Sequence, residues 1–368
     1  SFYSQFYHPS NCTLFIYGNL PIGEKLAYLD QEYLKTRGSL HVHSTCKLAQ
    51  RWKQERSVTF TSPMEEGQTK ESSSVVLSWA TSEVTDSLEV ITLSTLVDIL
   101  LGNPAAPLYK ALLDSELGMD ISSESGMSAD FRQMPFLVGF KGIEADKAEQ
   151  ARNCILDALC AIVKEGLDSD LVASSLKRAR FKQLEIPGGI PNGLRALNRS
   201  LRGWLFDLGP SATIQSAPLL EQLERKLEEN PRYFEDWIQV NLIDNPHRCL
   251  VTVKGDADHQ KRQSEGIARY ANQIKAELGK KGLKQLALQN ERFARFEQEG
   301  DTPQALATVP YLHLSDLPST IKPNTHEHVQ LAGQDLFIRS QFCNQIVYAD
   351  IGLNIEDFSE RELLLLPF

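Results

Sequence analysis

The pattern of hydrophobic and polar positions is most regular over residues 73–118, where it predicts a strand followed by two helices. The run SSVVLSWA is rich in β-branched and aromatic residues, which is typical of a buried strand. Asp86 or Ser87 is expected to cap the first helix, because either side chain can accept hydrogen bonds from its free N–H groups. That helix is apolar around most of its circumference, so we expect it to be covered on two sides. Gly102 is expected to end it in a left-handed conformation, and Pro107 to begin the second helix.

The residues that follow predict one further long strand and a series of helices. MPFLVGFKGI, residues 134–143, has the composition of a strand. Residues 146–165 carry an apolar stripe at helical spacing that stops at Gly166, and Asp168 is expected to cap the next helix. Further helices are predicted through 171–185, 194–207, 217–229 and around Trp237, before a closing strand within 245–256. This succession predicts a layered domain.

Two phrases of the chain occur twice, which indicates repeated structural units. The opening strand, predicted at residues 12–17, returns within NPHRCLVTVKGD, and the strand at 73 returns in NQIVYADIGLNIEDF. We therefore interpret the chain as the end of one repeat, a complete repeat and the start of a truncated one, separated by two connectors; the five segments are 1–19, 20–72, 73–256, 257–343 and 344–368. The competing interpretation is chance resemblance between short apolar strands.

The second connector predicts a helical hairpin. Residues 258–278 and 283–299 each carry an apolar stripe, and the turn Gly-Lys-Lys-Gly separates them. Two amphipathic helices joined by so short a turn are expected to pack antiparallel, with Ile274 and Phe293 between them. The proline-rich residues 302–318 then predict an extended strap.

Composition excludes several classes of protein. The 368 residues are 42% hydrophobic and 23% charged, which is typical of a globular chain of about two domains. A formal net charge of −10 argues against a nucleic-acid partner, because phosphate contacts require a basic face. The six cysteines form no C-x-x-C pair and are expected to be reduced. No apolar run approaches the ~20 residues needed to span a membrane.

No catalytic constellation is recognisable from residue spacing. The candidates are two histidine pairs and two acidic pairs: His41/His43, His326/His328, Glu65/Glu66 and Asp168/Asp170. Either histidine pair can share one strand face, but neither has a third ligand at a spacing that would hold a metal, so an exposed connector strand is the favoured interpretation. A turn and a helix cap account for the acidic pairs. Motifs such as H-E-x-x-H, H-x-x-E-H, G-x-S-x-G and the P-loop are absent.

Several longer phrases, in order along the chain, carry a family resemblance. They are FYSQFYHPSNCTLFIYGNL, LSWATSEVTDSLEV with DILLGNPAAPLYKALLDSELG, GGIPNGLRALNRSLRGWLFDLGP, NPHRCLVTV and PYLHLSDLP. In this order they are similar to five segments of one protein family. These segments are the end of that family's first domain, the opening of its second domain, a proline-glycine helix with a Trp, the strand before a helical hairpin, and the strap after it. The family with these features is the M16 (pitrilysin, inverzincin) zinc metallopeptidases, in the presequence-protease-like branch known as subfamily C.

This resemblance implies an M16 peptidase-like α+β fold: an antiparallel-rich sheet with helices packed on it, and a helical hairpin linker. It assigns the five segments in turn to the end of the first M16 domain (1–19), a connector (20–72), a complete second domain (73–256), the hairpin hinge with its strap (257–343) and the truncated start of a third domain (344–368).

The resemblance also implies a division of labour. In this family two bowl-shaped halves enclose a chamber where peptides and unfolded segments are cut, and the first domain supplies two His ligands and a glutamate base, with a downstream Glu completing the zinc site. Zinc polarises the scissile carbonyl and lowers the pKa of bound water. This chain lacks the motif, so no catalytic, metal-binding or cofactor-binding residue carries over. The implied role of the chain is chamber wall and hinge, inactive alone, with zinc bound elsewhere in the parent protein.

Two functional hypotheses follow from the resemblance. In the first, the chain is an internal segment of a zinc metalloendopeptidase of this branch, whose partners are peptide substrates and the remaining domains of the same chain. It predicts an H-x-x-E-H motif encoded upstream of Ser1. The alternative is a non-catalytic interaction or assembly protein of the same fold, like core subunits of respiratory complexes, without zinc and with a stable partner. We expect an intracellular location, in a bacterial cytoplasm or an organelle.

Overall fold

The fold is known from a computed structural model of the chain, which describes residues 2–64, 73–186, 189–214, 217–321, 323 and 325–366. The chain divides into two compact units: the first comprises Ser1–Thr59, Ser73–Thr252 and Phe342–Phe368, and the second comprises Phe60–Ser72 and Val253–Gln341. The strands are β1 Arg56–Pro63, β2 Ser73–Glu83, β3 Asp120–Ile121, β4 Gly126–Met127, β5 Gln133–Ile143, β6 Arg248–Asp256, β7 Glu327–Leu331 and β8 Gln334–Ile338.

The helices occupy much of the remaining chain. They are α1 Phe2–Phe6, α2 Ile22–Leu29, α3 Ser87–Leu101, α4 Pro107–Asp114, α5 Ala148–Glu165, α6 Ser169–Leu184, α7 Asn192–Trp204, α8 Ala217–Glu229, α9 Tyr233–Ile238, α10 His259–Gln298, α11 Pro303–Leu306 and α12 Glu360–Leu363. Among the described helices, none is both long enough and apolar enough to cross a bilayer.

A sheet built around β2 and β5 is the centre of the fold. Its strand order is β1-β6-β2-β5-β3, and β4 also pairs with β5. In β2, residues with their side chains toward the core alternate with half-buried ones, as expected for a strand covered on one face. β2 and β5 run antiparallel with Trp79 opposite Phe136, and the two rings lie 5.7 Å apart. The long strands predicted at 73 and at 134–143 are confirmed.

Helices α3 and α5 supply most of the core that covers this sheet. α5 buries the predicted stripe (Ala151, Ile155, Leu159 and Ile162) and packs against β2 and β5. α3 contacts β2 and β4 as well as α4, α6 and α8, so the prediction that it is covered on two sides is confirmed. Four apolar side chains of α3 are fully buried, and burial of each contributes roughly 1.5–3 kcal/mol; they are Leu93, Leu96, Ile99 and Leu100, and all belong to one continuous core.

The helix ends follow the predicted chemistry with one exception. Asp86 caps α3 by accepting hydrogen bonds from the N–H groups of Leu88 and Glu89, and Pro107 occupies the first turn of α4. The prediction for Gly102 was wrong, because its φ of −66° and ψ of −18° are right-handed. The chain leaves α3 through a further turn and the Pro104 break, so the reversal of direction needs no left-handed residue at 102.

Both terminal strands predicted from the repeats were wrong. Residues 12–17 have no strand structure, and neither do the described residues from 344 onward, where Val347 is 92% exposed and Ile351 85% exposed. A strand persists only where a neighbouring strand satisfies its backbone groups, and among the described residues neither segment has one. The internal copy of each phrase, in β6 and β2, does have such neighbours.

The second unit contains the predicted helical connector. α10 is two helical segments interrupted at Gly279, whose φ of 58° and ψ of −175° are not helical. No residue of α10 is buried, and Phe293 is 60% exposed, so its predicted packing between two helices was wrong. The sequence also missed a β-hairpin, in which β7 and β8 are joined by Ala332 and Gly333 with φ of 50° and 80°.

Candidate functional site

The paired histidines are close together but do not form a metal site. The rings of His41 and His43 are 4.4 Å apart at 89°. Among the residues that the structure describes, no group of three or more His, Cys, Asp or Glu side chains is arranged to hold a metal ion. A zinc site requires at least three protein ligands, so the described residues do not fit zinc.

The second histidine pair belongs to the β-hairpin. His326 packs edge-on and His328 stacks face-on against Phe337, with ring centroids 5.3 and 4.9 Å away. His328 Nε2 lies 2.9 Å from Asp335 Oδ1 across the two strands. These contacts account for the pair as a cross-strand cluster that holds the hairpin in register.

The acidic pairs serve structure where they are described. The Asp168 carboxylate accepts hydrogen bonds from the N–H groups of Asp170 and Leu171 and thereby caps α6, as predicted. Glu65 and Glu66 lie outside the described residues. The role of Asp168 in the described structure is therefore that of a helix cap.

The structure contains an ion-pair network around Glu55 that the sequence analysis did not predict. Arg152 donates to both Glu55 carboxylate oxygens at 2.5 and 3.0 Å, and Arg248 donates to Oε2 at 2.5 Å. Desolvation raises the pKa of Glu55, but the hydrogen bonds from the two arginines outweigh it and leave that pKa below its ordinary value. The network attaches the segment before β1 to α5 and β6. Nothing in the spacing of three residues so distant in sequence indicated it.

A cavity of about 330 Å³ lies within the first unit, between α3, α6 and α7. Part of its wall is polar or cationic, and part is apolar. The polar and charged lining comprises Ser87, Ser94, Thr95, Asp98, Ser175, Lys182, Gln183, Arg199, Arg202 and Thr213; the apolar lining comprises Val90, Ile91, Met127, Ala129, Ala179 and Leu219. We call this space the arginine cavity.

Asp98, the one carboxylate among the described lining residues of the arginine cavity, already has partners. Arg178 donates to Asp98 Oδ2 through Nε at 2.9 Å and through Nη2 at 2.7 Å, and Lys182 Nζ lies 3.6 Å from Asp98 Oδ1. Desolvation raises the pKa of Asp98, but hydrogen bonds from Arg178 and Ser175 outweigh it and lower the pKa overall. Asp98 is thus ionised, and Arg178 and Lys182 of α6 balance its negative charge.

The guanidinium groups on α7 have no such counterpart within the described part of the chain. Arg195, Arg199 and Arg202 are spaced four and three residues apart, which puts them on one face of the helix. Arg199 is half-buried, and among the described carboxylates none forms an ion pair with Arg199 or Arg202. Burial lowers the pKa of Arg199, and the charges of Arg195 and Arg202 lower it further.

This arginine face was present in the sequence but not recognised. LRALNRSLRG lies inside the phrase used for the family resemblance, and its spacing is the signal that predicts a cationic helix face. What the spacing does not reveal is burial. Arg199 and Arg202 line a cavity together with residues of α3 and α6, and only the folded domain brings these residues together.

Two family models match the chain. The model described as the "Peptidase M16 inactive domain" matches residues 1–178, and the model for the associated region of subfamily C of the M16 peptidases matches residues 253–368. They lie on either side of the region that contains α7 to α9.

Curated relatives match along the whole chain. Protein HypA of Clostridium perfringens is 26% identical over 369 residues, covering 100% of this chain and 37% of that protein. Presequence protease 1, chloroplastic/mitochondrial, of Arabidopsis thaliana is 27% identical over 372 residues, covering 100% of this chain and 34% of that protein. The chain thus spans about a third of the length of these relatives.

A solved structure shares the fold. An insulinase family protease from Yersinia pestis superposes with a TM-score of 0.50 at 12% sequence identity, covering 72% of this chain and 56% of that one. The predicted α+β, M16 peptidase-like fold class is confirmed. The family models and the curated relatives place the chain in the M16 peptidase family, in the branch that carries the subfamily C associated region.

Proposed function

We propose that this chain is the non-catalytic middle portion of a zinc metalloendopeptidase of M16 subfamily C, which degrades peptides and unfolded segments inside a closed chamber. The observation that carries the proposal is the order of the two family matches, with the M16 inactive domain followed by the subfamily C associated region. Presequence proteases of Arabidopsis thaliana and Xenopus laevis support it, because they match 100% and 94% of this chain with about a third of their own length.

Within this proposal, the first unit supplies chamber wall and the helical connector supplies a hinge. The described part of the chain contains no cluster of three metal-ligating side chains, so we assign zinc and the catalytic glutamate to another part of the parent protein. The assignment of 73–256 to a second M16 domain and of 344–368 to the start of a third is part of the same proposal. Peptides are the proposed substrates, and an organelle or a bacterial cytoplasm is the proposed compartment.

The test compares the 368-residue chain with the complete product of its reading frame. We expect an H-x-x-E-H motif upstream of Ser1, stoichiometric zinc in the complete protein by elemental analysis, and cleavage of an unstructured fluorogenic peptide that stops with Gln in place of the motif's glutamate. The 368-residue chain alone is expected to show neither zinc nor cleavage.

A reading frame without that motif would overturn the proposal. Zinc-free complete protein that co-purifies with a stable partner would instead favour the alternative, an assembly protein of the same fold. Peptide cleavage by the 368-residue chain alone would contradict its assignment as non-catalytic.

A further inference from the structure

We propose that the arginine cavity binds an organic anion, a small molecule with a phosphoryl or carboxylate head and a short apolar body. This goes beyond the proposed function, because a chamber wall needs no binding pocket of its own. The inference rests on unpaired charge, the shape and lining of the cavity, and the contrast between two neighbouring helices.

The first step is the charge of Arg199, which has no carboxylate partner among the residues that the structure describes. A half-buried guanidinium loses part of its hydration, and this loss is normally offset by a carboxylate. Arg199 has instead two like charges as neighbours, Arg195 and Arg202. A guanidinium presents its donors in a planar fork that matches the oxygens of a carboxylate or phosphate. An external oxyanion would supply the missing counter-charge.

The second step is the contrast with α6. There, Arg178 is paired with Asp98 and Arg180 with Glu224 Oε2, each at 2.7 Å. On α7, Arg195 donates to the backbone carbonyl of Glu185 at 3.2 Å, an interaction that orients its side chain without neutralising it. The two helices line the same cavity. Among the described carboxylates, Asp98 and Glu224 pair with Arg178, Arg180 and Lys182 of α6, whereas none pairs with Arg199 or Arg202 of α7.

The third step is where the head group would lie. Arg199 and Arg202 both line the cavity, and Thr213 lies beside them. The Thr213 hydroxyl donates to the Arg199 carbonyl at 2.5 Å, which ties the following turn to α7. Lys182 faces the same space from α6. An oxyanion held by two guanidinium groups here would also be attracted by the ammonium group.

The fourth step is the apolar part of the wall. Val90, Ile91, Met127 and Leu219 line the cavity, and they offer no hydrogen bonds to an inorganic ion. A volume of about 330 Å³ is at the lower end of the range for small-molecule pockets, roughly 300–1,000 Å³. A bare phosphate would leave this part empty, so an apolar body attached to the head group fits better.

The experiment measures ligand-induced stabilisation and affinity on the purified 368-residue chain. The probes are phenyl phosphate, benzoate, inorganic phosphate and uncharged benzyl alcohol, at constant ionic strength, by thermal melting and calorimetric titration. We expect at least one aromatic anion to raise Tm, because a ligand that binds only the folded state stabilises it, and to bind more tightly than inorganic phosphate. Preference for phenyl phosphate identifies a phosphoryl head, and preference for benzoate a carboxylate head.

Variants separate a binding role from a structural one. Arg199→Gln is expected to weaken anion binding by roughly tenfold or more, because charge-assisted hydrogen bonds to the anion are lost. Without ligand, the same variant is expected to raise Tm, because it removes a partly desolvated charge and its repulsion by Arg195 and Arg202. Arg202→Gln, at the exposed rim, is expected to weaken binding without affecting folding. Arg225→Gln, an exposed arginine on α8, is the matched control and should change neither quantity.

Three results would overturn the inference. The first is the absence of any response to the two aromatic anions. The second is a response to the anions that Arg199→Gln and Arg202→Gln leave unchanged. The third is a response to benzyl alcohol equal to that of the aromatic anions. Because no step of this experiment measures zinc or peptide cleavage, its outcome is independent of the proposed peptidase function.

Discussion

Glu55 is the residue whose surroundings most clearly have an energetic consequence. Its side chain retains 20% exposure and accepts from two arginines that lie 97 and 193 residues further along the chain. Exposed ion pairs contribute little to the stability of a fold. A largely buried carboxylate that accepts from two guanidinium groups contributes more, because its removal leaves both groups without a counter-charge.

Glu55→Gln is therefore expected to lower the free energy of unfolding by about 2 kcal/mol, measured by urea denaturation at pH 7. Glu144→Gln is the control, because Glu144 forms an exposed pair with Lys147, three residues away on the same turn. That variant is expected to change stability by less than ~0.5 kcal/mol. Equal losses in the two variants would contradict the special role of Glu55.

The lowered pKa of Glu55 predicts the pH dependence of this effect. Its contribution is complete above the unfolded-state pKa, near the ordinary value of 4.5, and is lost as pH falls through the lower folded-state pKa. The stability difference between the protein and Glu55→Gln should accordingly be constant at neutral pH and shrink on acidification below about 4.5. A difference that grew on acidification would refute this assignment.

At the scale of elements, the interruption of α10 is the feature with the clearest mechanical meaning. Gly279 has φ 58° and ψ −175°, and a Cβ there would meet nothing within 4 Å, so the obstacle to another residue is backbone conformation and not space. This region of φ and ψ is essentially restricted to glycine. Hinges absorb their motion at a few such positions.

Gly279→Ala is expected to destabilise the interruption and favour one continuous helix, which would raise the helical signal in circular dichroism and lengthen the distance between spin labels at the two ends of α10. Gly266→Ala is the matched control: Gly266 lies inside the first segment with open space around its Cα, so alanine there should add helix stability of ~1 kcal/mol without changing the distance. An unchanged distance in Gly279→Ala would argue against a glycine-dependent hinge.

For the whole molecule, burial is unevenly distributed. The hydrophobic core formed by the buried residues runs from Val75 to Leu250 and lies within the first unit, whereas none of the residues of α10 is buried. Because local stability follows buried apolar contact, the two units are expected to open at different free energies.

Hydrogen exchange followed by mass spectrometry should reveal this difference. Peptides from β2, β5 and α3 are expected to be the most protected, and peptides from α10 to exchange orders of magnitude faster under the same conditions. α5, a long helix that packs on the sheet, is the internal control for helical structure in general. Equal protection of α10 and α5 would contradict the expectation that α10, which has no buried residue, is the less stable helix.

The sequence by itself determined the local elements, because their causes are local. The strand β2, the stripe of α5 and the caps at Asp86 and Asp168 depend on residues within a few positions of one another, and all are present as predicted. The phrases that resemble M16 peptidases likewise needed no coordinates. The same local reasoning was wrong at residues 12–17, where a strand-like composition has no neighbouring strand among the described residues.

Only the tertiary structure decided which distant residues meet. The three residues of the Glu55 network come from separate parts of the chain, and Arg199 lines a cavity together with residues of α3 and α6. Electrostatic energies depend on distance in space and on loss of water, neither of which is encoded by spacing along the chain. For the same reason Arg199 and Arg202, which look like part of a solvated helix face in the sequence, line a cavity together with residues of α3 and α6 in the folded domain.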